Sequence, residues 1–332
     1  MKQELLKVTD LHISFKAKGE PVRAVTGVTF SVNKGETLGI VGESGAGKSV
    51  LGLSLMGLLP ENTAYIPGGS IEFDGTQMLE LNKKQIRAFR GDRIAMIFQD
   101  PMTSLNPVMT VGDQIIEALR FHNEEKLNKR QLEQRVDEVM ELVGIPAYRK
   151  KEYPHQFSGG MRQRVVIAIA LVCNPELLIA DEPTTALDVT IQAQVLAIIR
   201  DLQKKLGTSM VLITHDLGIV AKMCDRVAIM YAGEMVEQGS IEDILTGDFR
   251  HPYTLGLLGS IPNLEEDTPR LKSIPGLMPP PNALPEGCRF HPRCEHCMEI
   301  CRHQAPEKYY NHEGHYVACH LMKDRKEEVN HG

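Results

Sequence analysis

Gly42-Glu43-Ser44-Gly45-Ala46-Gly47-Lys48-Ser49 is the stretch whose reading decides the fold. It follows the apolar run Leu38-Gly39-Ile40-Val41 and precedes a helix-compatible segment, Val50 to Leu59, so the order is strand, loop, helix. That context is what a phosphate-binding loop requires. Glycines let backbone N–H groups curl toward an anion without Cβ clashes, and the helix after them aims its positive dipole end at the same point. Lys48 then reaches the β- and γ-phosphates of a nucleotide, and the Ser49 hydroxyl holds Mg2+. A glycine-rich turn with an exposed lysine is the plain alternative, and the full eight-residue match in context argues against it.

The bulk properties set limits on what surrounds this loop. With 332 residues, the chain exceeds the usual size of one core, so a large domain plus a smaller one is expected. Hydrophobic residues at 42% and charged residues at 24% are ordinary for a globular protein. No apolar run approaches the ~18 residues that span a bilayer, and Met1-Lys2-Gln3-Glu4 lacks a signal-like apolar stretch, so a cytosolic location is expected. The net charge of −6 gives no electrostatic reason to bind nucleic acid. Five of the seven cysteines (Cys288, Cys294, Cys297, Cys301 and Cys319) fall in the last 45 residues, whereas Cys173 and Cys224 sit alone in apolar surroundings. In a reducing compartment such a cluster favours metal over disulfides, and the two isolated cysteines read as core.

Along the chain, residues 5 to 33 alternate short β-prone runs, Val8 to Phe15 and Val28 to Val32, with turn signals, which predicts a small antiparallel sheet. Phe15 is either sheet packing or an aromatic face for adenine. Ile71 to Gly75 reads as a strand and turn, Asn82 to Arg90 as a short helix, and Arg93 to Phe98 as a core strand ending at Gln99. Asp100 to Pro107 is a proline-bounded loop, followed by helices at Val111 to Phe121 and Lys129 to Val143; the second carries Leu132, Val136, Val139, Met140 and Val143 on one face. These define a helical insertion over about 101–164. An α/β rhythm resumes with Glu176 to Ala180, the amphipathic Ile191 to Leu206, and Met210 to Ile213, and Val227 to Gly239 reads as a hairpin across Ala232-Gly233. Nearly continuous apolar strands alternating with helices predict an α/β parallel sheet covered on both faces, with ligands beyond the strands' carboxyl ends. Gln99, Asp181, Glu182 and His215 stand at those ends. Beyond about residue 262, closely spaced prolines predict an extended connector leading into the cysteine cluster.

Asp181, after an apolar strand, is placed to hold Mg2+, and Glu182 to activate an attacking water. Gln99 and His215 taken singly are weak signals, since strand-end residues of these types are commonly solvated. Phe157-Ser158-Gly159-Gly160-Met161-Arg162-Gln163, ahead of an apolar helix over Arg164 to Val172, makes a second anion-binding helix start. One chain has little use for two such sites on one triphosphate, but two chains arranged head to tail do.

With these motifs the sequence resembles the ATP-binding cassette (ABC) ATPases over about residues 5 to 250. The resemblance implies a RecA-like P-loop core with an antiparallel β subdomain and a helical insertion. It identifies Gly42 to Ser49 as Walker A, Gln99 as the Q-loop, Ser158 to Gln163 as the signature, Leu177 to Asp181 with Glu182 as Walker B, Ala186-Leu187-Asp188 as the D-loop and His215 as the switch histidine. It implies nucleotide contacts from Phe15, Gly42, Glu43, Ser44, Gly45, Ala46, Gly47, Lys48, Ser49, Val50, Gln99, Ser158, Gly159, Gly160 and Asp188, and Mg2+ held by Ser49, Gln99 and Asp181. Glu182 is then the general base, His215 the γ-phosphate sensor, and Lys48 and Gln99 complete the catalytic set. Met161 departs from the commoner glutamine in the signature, at a position that does not contact the anion.

The tail narrows the resemblance. His251-Pro252-Tyr253-Thr254, Ile274-Pro275-Gly276 and Gly287 to Cys294, together with Pro101 to Pro107, look like the D-type ATPase subunits of dipeptide and oligopeptide importers. This implies an ATPase domain over 1–262, a proline- and cysteine-rich extension over 263–332, and a [4Fe-4S] cluster on Cys288, Cys294, Cys301 and Cys319, with five, six and seventeen residues between them. Four thiolates suit Fe–S or tetrahedral Zn2+ alike, and Cys297 makes a zinc-like Cys-x-x-Cys step with Cys294, so chemistry leaves the two open. His291, His296, His303, His312, His315 and His320 add nitrogen donors, read mostly as solvated surface residues. The implied partners are a second ABC ATPase subunit, two transmembrane permease subunits and, indirectly, an extracytoplasmic peptide-binding protein, at the cytoplasmic face of the membrane, with no nucleic acid. The alternatives are a soluble non-transport ABC ATPase, a metal-sensing protein that binds ATP without turnover, or an importer ATPase serving glutathione, antimicrobial peptides or sugars. Only 116 positions separate Gly42 from Ser158, too few for the long coiled coil of chromosome-maintenance ATPases.

Overall fold

The computed structural model describes residues 3–100, 104–122, 127–185, 187–260, 274–312 and 314–323. Ala186, expected from the resemblance in a D-loop, Pro101 to Thr103 and the start of the expected proline-rich connector lie outside these residues. The chain divides into two compact units, the first formed by Met1–Leu5, Val32–Glu36 and Glu80–Leu212, the second by Leu6–Ser31, Thr37–Leu79 and Ile213–Gly332.

The second unit holds the phosphate-loop stretch. A small antiparallel sheet has the order β2-β1-β4-β5, from β1 (Glu4–Phe15), β2 (Val22–Asn33), β4 (Ala64–Phe73) and β5 (Thr76–Gln77). Where the sequence reads short runs, β1 and β2 each extend over 12 residues. β1 tolerates its polar interruption because Asp10 takes a positive φ and the register with β4 slips between Thr9 and His12, a bulge that lets the strand resume its inward face. β3 (Thr37–Val41) is buried at all five positions and pairs in parallel with β9 (Arg226–Tyr231). β9 turns through Ala232-Gly233 into β10 (Glu234–Ser240), the expected hairpin. Helix α1 (Lys48–Leu55) follows the loop and stops earlier than Leu59, because Gly57 takes the left-handed conformation at φ +60°.

The tail supplies two strands that the sequence reading does not contain. β11 (Tyr309–His312) and β12 (His315–Val317) form a hairpin whose second strand adds antiparallel to β10 at Glu237 and Gln238. The cysteine-bearing extension is thereby part of the second unit's own sheet, in the order β11-β12-β10-β9-β3.

The first unit carries β6 (Ile94–Ile97) in parallel with β7 (Leu177–Asp181), with the start of β8 (Ser209–Thr214) on the other side of β7. Its helices are α2 (Lys83–Phe89), α3 (Val111–Phe121), α4 (Lys129–Leu142), α5 (Gly159–Leu171) and α6 (Val189–Leu206). Asn128 caps α4 with Gln131 in a reciprocal capping box, and Leu132, Val136, Val139 and Met140 are its buried stripe. α5 packs on α3, α4, α6 and β6, which explains why its apolar residues run around the helix instead of down one side. The sequence starts this helix at Arg164. The structure starts it at Gly159, because Ser158 caps it by accepting the Met161 N–H.

Candidate nucleotide-binding site

In the second unit the loop from Gly42 to Ser49 closes on itself through Lys48. The Lys48 side chain is buried, and its Nζ donates to the carbonyls of Gly42 at 2.7 Å and Glu43 at 2.9 Å. Ala46 N–H donates to Glu43 O, and Gly233 N–H donates to Ala46 O, tying the loop to the β9–β10 turn. Two glycines are obligatory. A Cβ at Gly42 would lie 2.1 Å from Met230 O, and one at Gly47, where φ is +101°, would lie 2.5 Å from Ala24 O. Gly47 is also the N-cap of α1, so the helix's free N–H groups open onto the loop. Phe15, at the end of β1, is half-buried. His215 follows β8 and is exposed. Asp216 beside it fixes the corner by accepting the N–H groups of Gly218 and Ile219 at the start of α7 (Leu217–Met223).

In the first unit β7 delivers Asp181, buried, and then Glu182 at a positive φ of 46°, a backbone state uncommon for a residue with a side chain. Glu182 Oε2 accepts from Gln99 Nε2 at 2.9 Å and from Thr185 Oγ1 at 2.9 Å, so the two strand-end residues Gln99 and Glu182 meet directly. Ser158 is exposed at the tip of α5. Gly160 behind it admits no Cβ, which would lie 2.5 Å from Ile191 Cγ2 of α6. Buried Gln163 donates to Pro183 O at 2.6 Å, linking the signature helix to the segment after Glu182. Asp188 caps α6 by accepting the Ile191 N–H at 3.0 Å.

The loop also has partners from the tail that sequence reasoning missed. Arg293 forks onto the Glu43 carboxylate, Nη1 to Oε2 at 2.8 Å and Nη2 to Oε1 at 3.0 Å, and its Nε donates to Pro275 O at 2.8 Å. The Glu43 N–H donates to Tyr253 Oη at 3.0 Å. Burial pushes the Tyr253 phenol well above its ordinary pKa, so it stays a neutral acceptor. Met278 also faces the loop, its Cε 3.1 Å from where a Cβ on Gly45 would stand. No local pattern announces a contact across 250 residues of sequence.

The cysteines of the tail gather in the same unit. Cys301 and Cys319 are buried, and Cys288 and Cys294 are half-buried. The Cys288 N–H donates to Cys301 O at 2.8 Å. Burial pushes the Cys288 thiol up to about 11 and that of Cys319 up to about 12, and Cys319 further feels Cys288, Cys294 and Cys301. The chain also departs from the expectation of solvated histidines, since His315 has no exposed surface. Among the described residues, the one set of three His, Cys or carboxylate donors lying within 4.8 Å of one another is Asp243, His312 and His315.

Residues 25–185 match the family model described as ABC transporter, and residues 236–301 match the model described as Oligopeptide/dipeptide transporter, C-terminal region. The dipeptide transport ATP-binding protein DppD of Bacillus subtilis is 50% identical over 98% of this chain and 97% of its own length. The oligopeptide transport ATP-binding protein OppD of the same organism is 53% identical over 96% of this chain and 89% of its own. Among solved structures, a dimeric post-hydrolysis state of the ATP-binding cassette MJ0796 bound to ADP and Pi superposes with a TM-score of 0.65 at 25% identity, covering 71% of this chain and 99% of that one.

Proposed function

This chain belongs to the ATP-binding proteins of the dipeptide and oligopeptide ABC transporter family, and from that premise we propose that it binds and hydrolyses ATP to energise peptide import. The observation that carries the reading is the near end-to-end likeness to dipeptide and oligopeptide transport ATP-binding proteins, which includes the C-terminal region at 236–301. Among the described residues no helix is long and apolar enough to cross a membrane. The names of these relatives and the dimeric cassette support a subunit docked on permease partners at the cytoplasmic face and paired with a second cassette.

The roles follow from chemistry. Gly42 to Val50 grip the phosphates through backbone N–H groups, and Lys48, which now gives two donors to loop carbonyls, offers them to the β- and γ-phosphates instead. Ser49, Asp181 and Gln99 are the residues that would hold Mg2+, whose charge when bound neutralises the triphosphate. Glu182 takes the proton of the attacking water, and its bond from Gln99 supports coupling between that base and the Q-loop. His215 holds the γ-phosphate, Phe15 stacks on adenine, and Ser158, Gly159, Gly160 and Asp188 serve the nucleotide of a partner cassette.

We assign Cys288, Cys294, Cys301 and Cys319 to a [4Fe-4S] cluster, with Zn2+ as the competing ion. The donor set fits either, because thiolates are the soft ligands both require. The absorption spectrum of protein purified without oxygen discriminates the two: a colourless sample with stoichiometric sulfur-bound zinc overturns the cluster.

The test of the main reading uses the subunit reconstituted with its permeases and a peptide-loaded binding protein. Glu182→Gln is expected to lower ATP hydrolysis by about a hundredfold or more while ATP still binds. Hydrolysis that survives this change, or that ignores permease and peptide alike, overturns the proposal.

A further inference from the structure

Where the C-terminal hairpin closes on β10, the second unit buries a knot of polar side chains that the nucleotide site does not use. Glu237 and His315 both have 0% exposed side chains. Glu237 Oε1 and both ring nitrogens of His315 nonetheless have no hydrogen-bond partner. Groups of this kind are costly to bury unmatched, and native proteins seldom leave them so without an ion or water to take them up. The surroundings show what the knot is built to hold. Glu237 Oε2 accepts from the His251 N–H at 2.8 Å and from Thr254 Oγ1 at 2.6 Å, which leaves Oε1 facing His315 Nε2 at 3.5 Å. The opposite ring nitrogen, His315 Nδ1, lies 3.6 Å from Asp243 Oδ1, and that oxygen lies 2.9 Å from His312 Nε2. Asp243 keeps its other oxygen for the Ser240 N–H and hydroxyl, so Oδ1 is the atom turned to both imidazoles.

We propose that Asp243 Oδ1, His312 Nε2 and His315 Nδ1 form a binding site for a divalent cation of the zinc class, with Glu237 as the carboxylate that orients His315. Metal–nitrogen and metal–oxygen bonds of about 2.0–2.2 Å in tetrahedral array put neighbouring donors about 3.4 Å apart, between the 2.9 and 3.6 Å found here. Two imidazoles and a carboxylate are borderline ligands that suit zinc better than magnesium or calcium. With its proton on Nε2, the nitrogen that faces Glu237 Oε1 at 3.5 Å, His315 leaves Nδ1 to ligate, which is the carboxylate–histidine–metal arrangement of many zinc sites. The sequence supplies the pair by a hairpin: His312 and His315 are register partners across a turn closed by Gly314 at φ +93°, so both rings emerge on one face. His312 is half-exposed, which opens a fourth coordination position to water. The ion clasps the β11–β12 hairpin to α8 (Ile241–Thr246), the helix that carries Asp243.

The test uses the full chain stripped with chelator and then titrated with Zn2+ alone, with Co2+ as a spectroscopic probe. Wild type is expected to take up one equivalent whose X-ray absorption shows nitrogen and oxygen neighbours. His312→Ala, at a half-exposed position, is expected to lose that equivalent and keep any metal bound through sulfur. Glu237→Gln is expected to weaken binding by about 10–100-fold. Hydrogen exchange of the 309–317 amides slows with Zn2+ in wild type and not in His312→Ala. Should His312→Ala misfold, Asp243→Asn gives the same readout. Equal uptake by wild type and both ligand variants, or zinc with only sulfur neighbours, overturns the site.

Discussion

The fork from Arg293 to Glu43 is the strongest polar link between tail and phosphate loop, and a double-mutant cycle measures it. The Arg293 side chain is 5% exposed and that of Glu43 29%. Removing Glu43 strands a buried guanidinium. For a fully buried pair that costs about 3–5 kcal/mol, but Arg293 keeps Pro275 O at 2.8 Å and Tyr231 Oη at 3.4 Å. The remaining acceptors and the wet side of Glu43 bring the expected loss for Glu43→Ala to about 2–3 kcal/mol. Arg293→Met leaves instead a carboxylate that can turn to water, so it should cost less, about 1–2 kcal/mol. Because both changes delete one interaction, the double variant should be no worse than Glu43→Ala, with a coupling of about 1.5 kcal/mol. Urea unfolding of the four proteins reads the stabilities, and nucleotide titration reads the loop. Either single change should weaken ATP binding several-fold, since the fork anchors the side chain of the loop residue whose N–H meets Tyr253 Oη and whose carbonyl meets Lys48 Nζ. Additive losses, with coupling below about 0.5 kcal/mol, would refute the view that the tail steadies the loop.

Gly160→Ala places a methyl 2.5 Å from Ile191 Cγ2; overpacking of about 1–3 kcal/mol should exceed the gain in helix propensity, and Ile191→Ala should restore the melting temperature. His251 is buried and accepts the Tyr253 N–H through Nδ1 at 3.0 Å, and burial takes its pKa down to about 3. Its folded pKa lies below the unfolded value, so the stability it supports is complete above pH ~6.5 and falls by about 1.4 kcal/mol per unit as pH drops toward 3. His251→Asn, which keeps a capping acceptor, should lose about 2 kcal/mol less than wild type between pH 7 and pH 5 in urea titrations. Ser158→Arg should abolish turnover in the assembled transporter while the isolated chain binds ATP normally; intact turnover would argue against a site shared between cassettes.

How much of this was legible in the sequence depends on how local the cause is. The phosphate loop is legible because its chemistry demands particular residues in one contiguous stretch, and α4 because a stripe at Leu132, Val136, Val139 and Met140 repeats at helical spacing. α5 is half legible. Its apolar residues face several elements at once, so periodicity gave no start, and Gly159-Gly160 read as loop although Ser158 caps a helix there. The hairpin β11–β12 was illegible, because three- and four-residue strands rich in Tyr, His and Asn take their conformation from the edge of β10. His315 misled for the same reason: a histidine in a polar segment reads as solvated until the fold sets Glu237 and Asp243 against it.

The tail's placement follows a common physical logic. A segment of about fifty described residues with few large apolar side chains cannot repay its ordering entropy by burial alone. It is ordered through point attachments: a strand added to β10, the Glu43 fork, the gathered thiols and the knot around His315. The first two bind it to the sheet and to the phosphate loop. On the metal-binding readings proposed above, the second two would hold the tail most firmly with metal bound. Arg293 sits one residue before Cys294, in a turn where the His291 N–H donates to Cys288 O and the Arg293 N–H to Phe290 O. The same turn that offers two of the four cysteines therefore aims the guanidinium at Glu43, so whatever orders the thiols also orders the clamp on the loop.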